Sequence, residues 1–217
     1  MYSIDISFVI GNLDITPGKT VVESGTGSGS LTFSISRALA GQGNLFSFEY
    51  NTERAAEAQR EFRELKVENV HIFNRDAYKD GFLVADKLAA HGADAVFLDL
   101  PSPWCAVPHC VEVLRPGGRL CNFSPCIEQV QRMITTLSKE GFGDFESYEV
   151  LERTFERRKL KEISLKDMKE QKDEHNQHQA DGLGVRSARE PERFVYGQAN
   201  EEGRWHTGYL TFCTKFV

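Results

Sequence analysis

The sequence predicts an α/β protein in which a mainly parallel, doubly wound sheet carries helices on both faces. Short apolar runs alternate along the chain with amphipathic segments, which is the pattern of repeated strand and helix units. A glycine-rich turn follows the first apolar run, and acidic residues follow several later ones. Because parallel strands end at one edge of a sheet, we expect these residues to meet at the edge where such folds bind ligands.

Length and composition are those of one ordinary globular domain. The chain has 217 residues, of which 40% are hydrophobic and 27% charged, enough for a sizeable core. No apolar run approaches the ~20 residues that a membrane helix needs, and the N-terminus lacks the pattern of a signal peptide. The formal net charge of −6 argues against a chain that binds nucleic acid unaided.

Periodicity assigns the elements in order. In the first half of the chain, helical spacing of apolar residues predicts helices over residues 1–13, 31–40 and 51–65, and short apolar runs predict strands over residues 20–24, 44–49 and 70–74. In the second half we expect helices over residues 83–90 and 108–114 and strands over residues 93–100 and 119–123, with a last strand near the C-terminus. Residues 115–118 (RPGG) should form a turn.

The turn after the first strand predicts a nucleotide-like ligand. Gly25, Gly27 and Gly29 stand at alternate positions, so the backbone can approach a ligand closely and the helix N-terminus can face an anion. Glu49 ends the second strand 20 residues after Gly29, where a carboxylate can accept hydrogen bonds from ribose hydroxyls. A dinucleotide fingerprint would need glycine at Ser30, so the spacing favours S-adenosylmethionine. A tight turn alone would also explain the glycines, but Glu49 and the later motifs weaken that alternative.

Two aspartates follow later strands. Asp76 stands just past residues 70–74, and Asp99 lies at the end of residues 93–100. In a methyl-donor site Asp76 would receive the adenine amino group, and the alternative is that it caps a helix.

Asp99 begins the stiff segment DLPSPW, residues 99–104. Two prolines hold such a segment extended, so the aspartate can be aimed with little reorganisation. Methyl transfer from a sulfonium needs a positioned nucleophile and stabilised charge. A carboxylate that accepts a hydrogen bond from the N6 amino group of adenine would orient N1 and offset the charge that the ring acquires. Trp104 could stack on a base or fill the core.

The cysteines and histidines predict no metal site. Five cysteines without a secretory signal indicate reduced thiols. Cys105 and Cys110, like Cys121 and Cys126, repeat a C-x4-C spacing that is wider than zinc ligands usually have. The histidines in residues 175–178 fit a solvated loop better than a ligand pair.

Five stretches together resemble the catalytic subunit of the eukaryotic tRNA (adenine-58-N1)-methyltransferases. They are ESGTGSGS (residues 23–30), FE (48–49), FLDLPSPW (97–104), SPCIEQVQR (124–132) and HTGYLTF (206–212). The resemblance runs over residues 1–151 and resumes at residue 206. It implies a class I S-adenosylmethionine-dependent methyltransferase fold, with S-adenosyl-L-methionine as the donor and N1 of adenosine 58 in the T-loop of tRNA as the acceptor.

The resemblance also implies the site residues, motif by motif, and makes Asp99 the catalytic residue. The cofactor would be bound by Gly25, Gly27, Ser28, Gly29, Ser30, Glu49, Arg54, Asp76, Ala77 and Asp99. The tRNA would be bound by Pro101, Asn122, Phe123, Ser124, Pro125, Cys126, Ile127, Glu128, Gln129 and Thr207.

The partners that the family implies are tRNA and a homologous non-catalytic subunit in an α2β2 heterotetramer, in the nucleus and away from membranes. The family normally carries a small β-rich domain before the methyltransferase domain, and we expect this chain to lack it. Residues 155–203 are charged and aperiodic, so we expect a flexible insertion before the final strand. Its basic cluster could touch phosphate or a partner, or be a solvated face; the cluster comprises Arg153, Arg157, Arg158, Lys159 and Lys161.

Two alternatives stay open at this point. One is a methyltransferase that acts on another nucleic-acid amine, such as the exocyclic N6 of adenine, because an aspartate followed by prolines and an aromatic residue also resembles the motif of amino-methylating enzymes. The other is a non-catalytic S-adenosylmethionine-binding subunit, whose glycine turn or acidic strand ends we would expect to be eroded. Here both features are intact.

Overall fold

The computed structural model describes residues 3–151, 155–159, 194–198 and 208–217. The strands are β1 (Thr20–Ser24), β2 (Asn44–Glu49), β3 (Val70–Asn74), β4 (Ala93–Leu98), β5 (Leu114–Ser124), β6 (Phe142–Glu149), β7 (Phe155–Lys159), β8 (Phe194–Gln198) and β9 (Tyr209–Lys215). The α-helices are α1 (Ser3–Asn12), α2 (Ser30–Ala38), α3 (Thr52–Glu64), α4 (Val107–Val113) and α5 (Ile127–Lys139), with a 3₁₀ helix at Pro103–Ala106.

The residues group into two compact units, Met1–Leu151 with Trp205–Val217, and Glu152–Arg204. The first unit contains a seven-stranded sheet in the order β3-β2-β1-β4-β5-β9-β6. Strands β1 to β5 are parallel to one another, and β9 runs antiparallel to both of its neighbours, β5 and β6. The predicted α/β fold with a mainly parallel sheet is confirmed.

Each face of this sheet has its own apolar core. Val21 and Val22 are consecutive and both fully buried, yet they belong to different clusters, because successive side chains of a strand point to opposite faces. One cluster joins the sheet to apolar residues of α1 and α2, and the other joins it to α4 and α5. Helices therefore cover both faces of the sheet.

The helix that the sequence predicts over residues 83–90 is wrong. The segment forms turns around an isolated antiparallel bridge between Val84 and Leu88, and Asp86 has a positive φ of 62°. Nη1 of Arg75 donates to the carbonyl oxygen of Leu83 at 2.7 Å. These hydrogen bonds hold the backbone away from helical geometry although the apolar spacing fits a helix.

Other predicted bounds need smaller corrections. Strand β4 ends at Leu98 rather than at residue 100, and β5 starts at Leu114 rather than at residue 119, with an irregularity in its pairing to β4. Helix α5 and strand β6 have no counterpart among the elements predicted from the sequence. Asn51 begins the third helix as its N-cap, because its side chain accepts a hydrogen bond from the backbone N–H of Arg54.

In the second unit the structure describes two strands, β7 and β8, which pair antiparallel from Phe155 opposite Gln198 to Lys159 opposite Phe194. The sequence predicts a single domain with a flexible insertion at about residues 155–203. Regular structure occurs at ten of those residues. Residues 160–193 lie outside the described part, so the flexibility of the insertion stays a prediction.

Candidate active site

A cleft of about 700 Å³ opens at the carboxyl ends of the parallel strands. This volume lies in the range of small-molecule sites, roughly 300–1,000 Å³. The segments that follow β1, β2, β3, β4 and β5 all contribute to its wall. The lining residues are Ser24, Gly25, Gly27, Phe48, Glu49, Tyr50, Arg54, Arg75, Asp76, Ala77, Tyr78, Asp99, Leu100, Pro101, Phe123, Pro125 and Gln129.

Glu49 holds the glycine turn in place. Its Oε2 accepts a hydrogen bond from the backbone N–H of Gly27 at 3.1 Å, and its Oε1 accepts from that of Asn51 at 2.9 Å. Nη2 of Arg54 lies 3.4 Å from Oε1. Each carboxylate oxygen has more than one acceptor site, so Glu49 can hold this turn and still accept a hydroxyl of a ligand.

Gly25 brings the glycine turn against Asp99. It has a φ of +98°, and a Cβ at this position would collide with the backbone carbonyl oxygen of Asp99. The backbone N–H of Asp99 donates to the carbonyl oxygen of Ser24 at 2.9 Å. A side chain at Gly25 would push the two segments apart, so this glycine is required both by its conformation and by the close approach.

Asp99 points into the cleft with its side chain exposed to solvent. The protein walls around it remove part of its hydration, and this desolvation raises the pKa of Asp99 above its ordinary value of 3.8, with a further rise from the Glu49 carboxylate. A carboxylate that is poorly hydrated gains more from a hydrogen-bond donor on a ligand. Asp99 is therefore suited to accept a hydrogen bond from a bound molecule.

Asp76 also contributes to the cleft wall. Its Oδ1 accepts a hydrogen bond from the backbone N–H of Tyr78 at 3.0 Å, and its Oδ2 lies 3.4 Å from Nζ of Lys79. The carboxylate thus caps a turn, not the helix considered from the sequence, and the residue also lines the cleft. The two roles are compatible in this geometry.

The segment from Asp99 to Trp104, which we call the proline turn, is braced from two sides. The backbone N–H of Ser102 donates to the hydroxyl oxygen of Tyr78 at 2.9 Å, and Nε2 of Gln129 donates to the carbonyl oxygen of Pro101 at 3.4 Å. Trp104 packs against the core, and the guanidinium of Arg132 lies 3.9 Å from its ring centroid. With that ring face covered, Trp104 fits the core role better than the stacking role.

Residues 1–215 match the sequence model of a family described as the tRNA methyltransferase complex GCD14 subunit. The chain belongs to this family. The resemblance found in the sequence is therefore confirmed, and it extends over residues of the second unit as well.

Several named relatives share the family. The tRNA (adenine(58)-N(1))-methyltransferase catalytic subunit trmt61a of Dictyostelium discoideum is 38% identical over 226 residues, which cover 98% of this chain and 71% of that protein. The TRM61 catalytic subunit of Cryptococcus neoformans is 45% identical over 158 residues, covering 72% of this chain and 35% of that protein. The TRM61 of Yarrowia lipolytica is 39% identical over 191 residues, covering 87% of this chain and 49% of that protein. The chain spans a third to a half of the length of these two fungal relatives.

Solved structures show the same fold. An S-adenosylmethionine-dependent O-methyltransferase from Thermotoga maritima superposes with a TM-score of 0.74 at 26% identity, over all of this chain and 66% of that one. The tRNA (m1A58) methyltransferase TrmI from Aquifex aeolicus superposes with a TM-score of 0.71 at 23% identity, over all of this chain and 70% of that one. The predicted class I methyltransferase fold is confirmed.

The structure of this GCD14-family chain brings most of the predicted cofactor residues to the cleft. Its wall contains Gly25, Gly27, Glu49, Arg54, Asp76, Ala77 and Asp99. Ser28, Gly29 and Ser30 lie beside the cleft and not in its wall; Oγ of Ser28 and Oγ of Ser30 are 2.9 Å apart. Gly29 is the N-cap of α2. A contact of these three residues with the donor stays a prediction.

The predicted tRNA residues divide in a similar way. Pro101, Phe123, Pro125 and Gln129 line the cleft. Asn122 and Ser124 are buried and joined by a 2.7 Å hydrogen bond from Nδ2 of Asn122 to Oγ of Ser124, so in this geometry they support the wall from behind. Cys126, Ile127 and Glu128 are exposed at the start of α5 outside the cleft wall, and Thr207 lies outside the described residues.

Six residues of the cleft wall are not among those predicted from the sequence. Ser24, Phe48, Tyr50 and Leu100 adjoin residues that were predicted, so their positions next to strand ends were a usable signal. Arg75 and Tyr78 also adjoin the predicted Asp76 and Ala77, but their hydrogen bonds to distant segments could not be predicted from that position.

Glu23, the penultimate residue of β1, belongs to the family motif at residues 23–30 but is not among the predicted site residues. It is fully buried, and its Oε2 accepts hydrogen bonds from the hydroxyls of Thr32 and Ser47 at 2.7 and 2.6 Å. Burial raises the pKa of Glu23, the two hydrogen bonds lower it by less, and the carboxylates of Asp99 and Glu49 raise it as well. The resulting pKa is about 7. An acidic residue inside a buried apolar strand was the signal that could have drawn attention to it.

Within the described stretches, no group of three or more histidine, cysteine, aspartate or glutamate side chains could hold a metal ion. All five cysteines are free thiols, with Cys105 and Cys126 exposed and the other three buried. Residues 175–178 are outside the described part. None of the described helices is long and apolar enough to cross a bilayer.

Proposed function

We propose that this chain transfers a methyl group from S-adenosyl-L-methionine to N1 of adenosine 58 in the T-loop of tRNA, with Asp99 as the catalytic residue. The observation that carries the proposal is the position of Asp99, which stands at the start of the rigid proline turn, against the glycine turn and in the same cleft as Glu49 and Asp76. The named relatives, catalytic subunits of tRNA (adenine(58)-N(1))-methyltransferase, support the reaction and the acceptor.

The residues present fit S-adenosylmethionine. The wall has no side chain at Gly25, where any Cβ would collide, and Glu49 keeps free acceptor sites for ribose hydroxyls. Glu49 and Asp99 also give the cleft a negative potential that suits a cationic sulfonium. When bound, the donor supplies an electrophilic methyl group. Asp76 would accept the donor's adenine amino group, as the family resemblance implies.

The chain's own residues then have three tasks. Asp99, when ionised, accepts a hydrogen bond from the N6 amino group of the target adenine, which orients N1 and stabilises the positive charge that develops on the ring. The proline turn keeps this carboxylate in place before the substrate arrives. Phe123 and Pro125 supply apolar surface of the same wall for a base.

Because the pKa of Asp99 is raised, activity should fall in acid at a higher pH than an ordinary aspartate would give.

The proposal is tested with Asp99→Asn and Asp99→Ala. Both remove the charge, and Asp99→Asn preserves the size of the side chain. We expect the methylation rate to fall by about 100-fold or more, with a thermal midpoint close to that of the parent because the carboxylate is not part of the core. The assay is mass spectrometry of nucleosides from tRNA incubated with the donor and the full-length chain in its native assembly.

The matched control is Asp80→Asn, which changes an exposed aspartate outside the cleft wall and should keep the parent rate. An Asp99→Ala enzyme as fast as the parent would overturn the catalytic role. N6-methyladenosine as the product would favour the alternative reaction, and a parent chain that binds the donor without any methylated product would favour a non-catalytic subunit.

We further propose that the chain works with tRNA as part of a complex with a homologous non-catalytic subunit, in an α2β2 heterotetramer. The family description, a subunit of a tRNA methyltransferase complex, supports assembly with a partner. The net charge of −6 also supports it, because an acidic chain alone is poorly suited to a polyanion. The nuclear location stays a prediction from the family resemblance.

A further inference from the structure

We propose that Tyr78 is a positioning residue, whose hydroxyl couples the donor side of the cleft to the proline turn that carries Asp99. This inference rests on the proposed methyl transfer and names a residue that the sequence motifs did not single out. Tyr78 follows β3 and lines the cleft, as do its neighbours Asp76 and Ala77 and the proline-turn residues Leu100 and Pro101.

The proline turn offers few backbone donors with which to hold it. Pro101 and Pro103 have no N–H, so Ser102 supplies the only backbone donor among these three residues. That N–H donates to the hydroxyl oxygen of Tyr78 at 2.9 Å. Ser102 has φ −134° and ψ 66°, outside the usual helical and extended regions. The tyrosine hydroxyl thus holds the middle of the turn, three residues after Asp99.

The ring of Tyr78 is itself anchored, because its backbone is held on both sides. Its N–H donates to Oδ1 of Asp76 at 3.0 Å, and its carbonyl oxygen lies 3.1 Å from Nε2 of His109. A carbonyl can only accept, so this nitrogen of His109 carries the proton. Burial raises the pKa of Tyr78 above its ordinary value of 10.0, so the phenol is neutral at physiological pH and keeps a proton to donate into the cleft.

These hydrogen bonds connect the proposed donor-binding residue Asp76 with the turn that carries the proposed catalytic residue Asp99. Asp76, which would receive the donor's adenine amino group, holds the backbone of Tyr78, and Tyr78 holds the turn whose first residue is Asp99. A ligand that fixes Asp76 therefore restrains the proline turn as well. The start of the turn is held by the hydrogen bond from the backbone N–H of Asp99 to the carbonyl oxygen of Ser24 at 2.9 Å. Beyond Asp99, the hydrogen bond from Nε2 of Gln129 to the carbonyl oxygen of Pro101 is longer at 3.4 Å, so we assign the main restraint on the middle of the turn to Tyr78.

The test is Tyr78→Phe, which removes one oxygen atom and keeps the ring. In the full-length chain and its native assembly, we expect kcat for tRNA methylation to fall about tenfold, while KM for the donor stays within about twofold of the parent. The thermal midpoint should change little. The matched control is Tyr148→Phe in β6, a residue that does not line the cleft. The ring of Tyr148 packs against Phe8 and Phe212, and its change to Phe should leave kcat unchanged.

Hydrogen exchange gives the readout that a purely structural role would not move. A peptide that contains residues 101–103 has a single exchangeable backbone amide among those residues, that of Ser102. We expect this amide to exchange about tenfold faster in Tyr78→Phe. S-adenosylhomocysteine should slow its exchange in the parent and leave it unchanged in the variant.

The inference would be overturned if kcat were unchanged in Tyr78→Phe. It would also be overturned if S-adenosylhomocysteine protected the Ser102 amide from exchange equally in both proteins. Faster exchange over the entire sheet would also overturn it, because it would indicate general loosening. If the parent methylated a different atom, the proposed acceptor would be wrong, while the exchange results would still decide the coupling through Tyr78.

Discussion

Glu23 is the residue whose chemistry departs most from what its sequence position suggests. Its side chain is fully buried beneath the glycine turn, and its Oε1 has no hydrogen-bond partner among the described residues. An ionised carboxylate there would leave a charge in a poorly polarisable environment. Burial raises its pKa from 4.5 to about 7, so the protonated form is favoured in the folded protein over much of the acidic range.

This shift predicts how stability depends on pH. Between pH 4.5 and about 7 the folded chain binds the Glu23 proton and the unfolded chain does not, so stability is fully present in acid and is lost as pH rises through about 7. The loss is on the order of 3 kcal/mol. Glu23→Gln has no such proton and keeps acceptors for Thr32 and Ser47.

We therefore expect urea denaturation to show Glu23→Gln gaining stability relative to the parent between pH 5 and pH 8. Glu64→Gln, a change at an exposed position of α3, is the control and should show no such trend. A difference between Glu23→Gln and the parent that is the same at both pH values would mean that Glu23 titrates normally.

The strands and helices with clean periodicity could be predicted from the sequence alone. Strands β2 and β3 have the predicted bounds, and α3 lies within one residue of its prediction at each end. Glu49, Asp76 and Asp99 meet in one cleft because parallel strands end at one edge. Local pattern and the direction of the strands determine these features.

The sequence could not predict features that depend on contacts between distant residues. The segment over residues 83–90 has helical apolar spacing, but Arg75 binds the carbonyl oxygen of Leu83. The raised pKa of Glu23 depends on the depth of burial, and the role of Tyr78 on a hydrogen bond to a residue 24 positions away. A single sequence does not record such contacts.

Lys215 at the end of β9 completes the C-terminus of α4. Its side chain is 1% exposed, and its Nζ donates to the carbonyl oxygens of Val111 and Leu114 at 2.6 and 2.8 Å and lies 3.2 Å from Nδ1 of His91. The last carbonyls of a helix have no partner within it and carry partial negative charge. A buried ammonium at this point satisfies them and joins the last strand to the helix.

Lys215→Met should therefore lower the free energy of unfolding by about 2–4 kcal/mol, because it removes the donor to the Val111 carbonyl and leaves the Leu114 carbonyl only the contact with Nδ1 of His91 at 3.2 Å. Urea denaturation would show a lower midpoint with an unchanged m value. Lys139→Met, on the exposed last turn of α5, should change stability by less than about 0.5 kcal/mol. Equal midpoints for Lys215→Met and the parent would show that the lysine does not support the helix end.

The charge distribution of the chain bears on how it meets tRNA. Its formal net charge is −6, and several cations of the larger unit face carboxylates, among them Arg54 with Glu49, Arg115 with Asp94 and Arg119 with Glu146. Arg132 instead lies over Trp104. Phosphate contacts supply most of the affinity of a protein for nucleic acid, and these paired cations are poorly placed to supply them.

The 217-residue chain alone should consequently bind tRNA weakly and methylate it slowly, and a more basic partner subunit should restore both. Filter binding at a series of salt concentrations measures this directly, because log affinity falls with log salt by roughly 0.7 to 0.9 for each phosphate neutralised. We expect a steep slope for the assembly and negligible binding for the chain. A tRNA variant that lacks the T-loop is the control for non-specific contacts. The assembly should bind it with the same dependence of log affinity on log salt but should not methylate it. Tight binding by the chain alone, with the slope of the assembly, would show that its own basic residues form the tRNA surface and that the partner has another role.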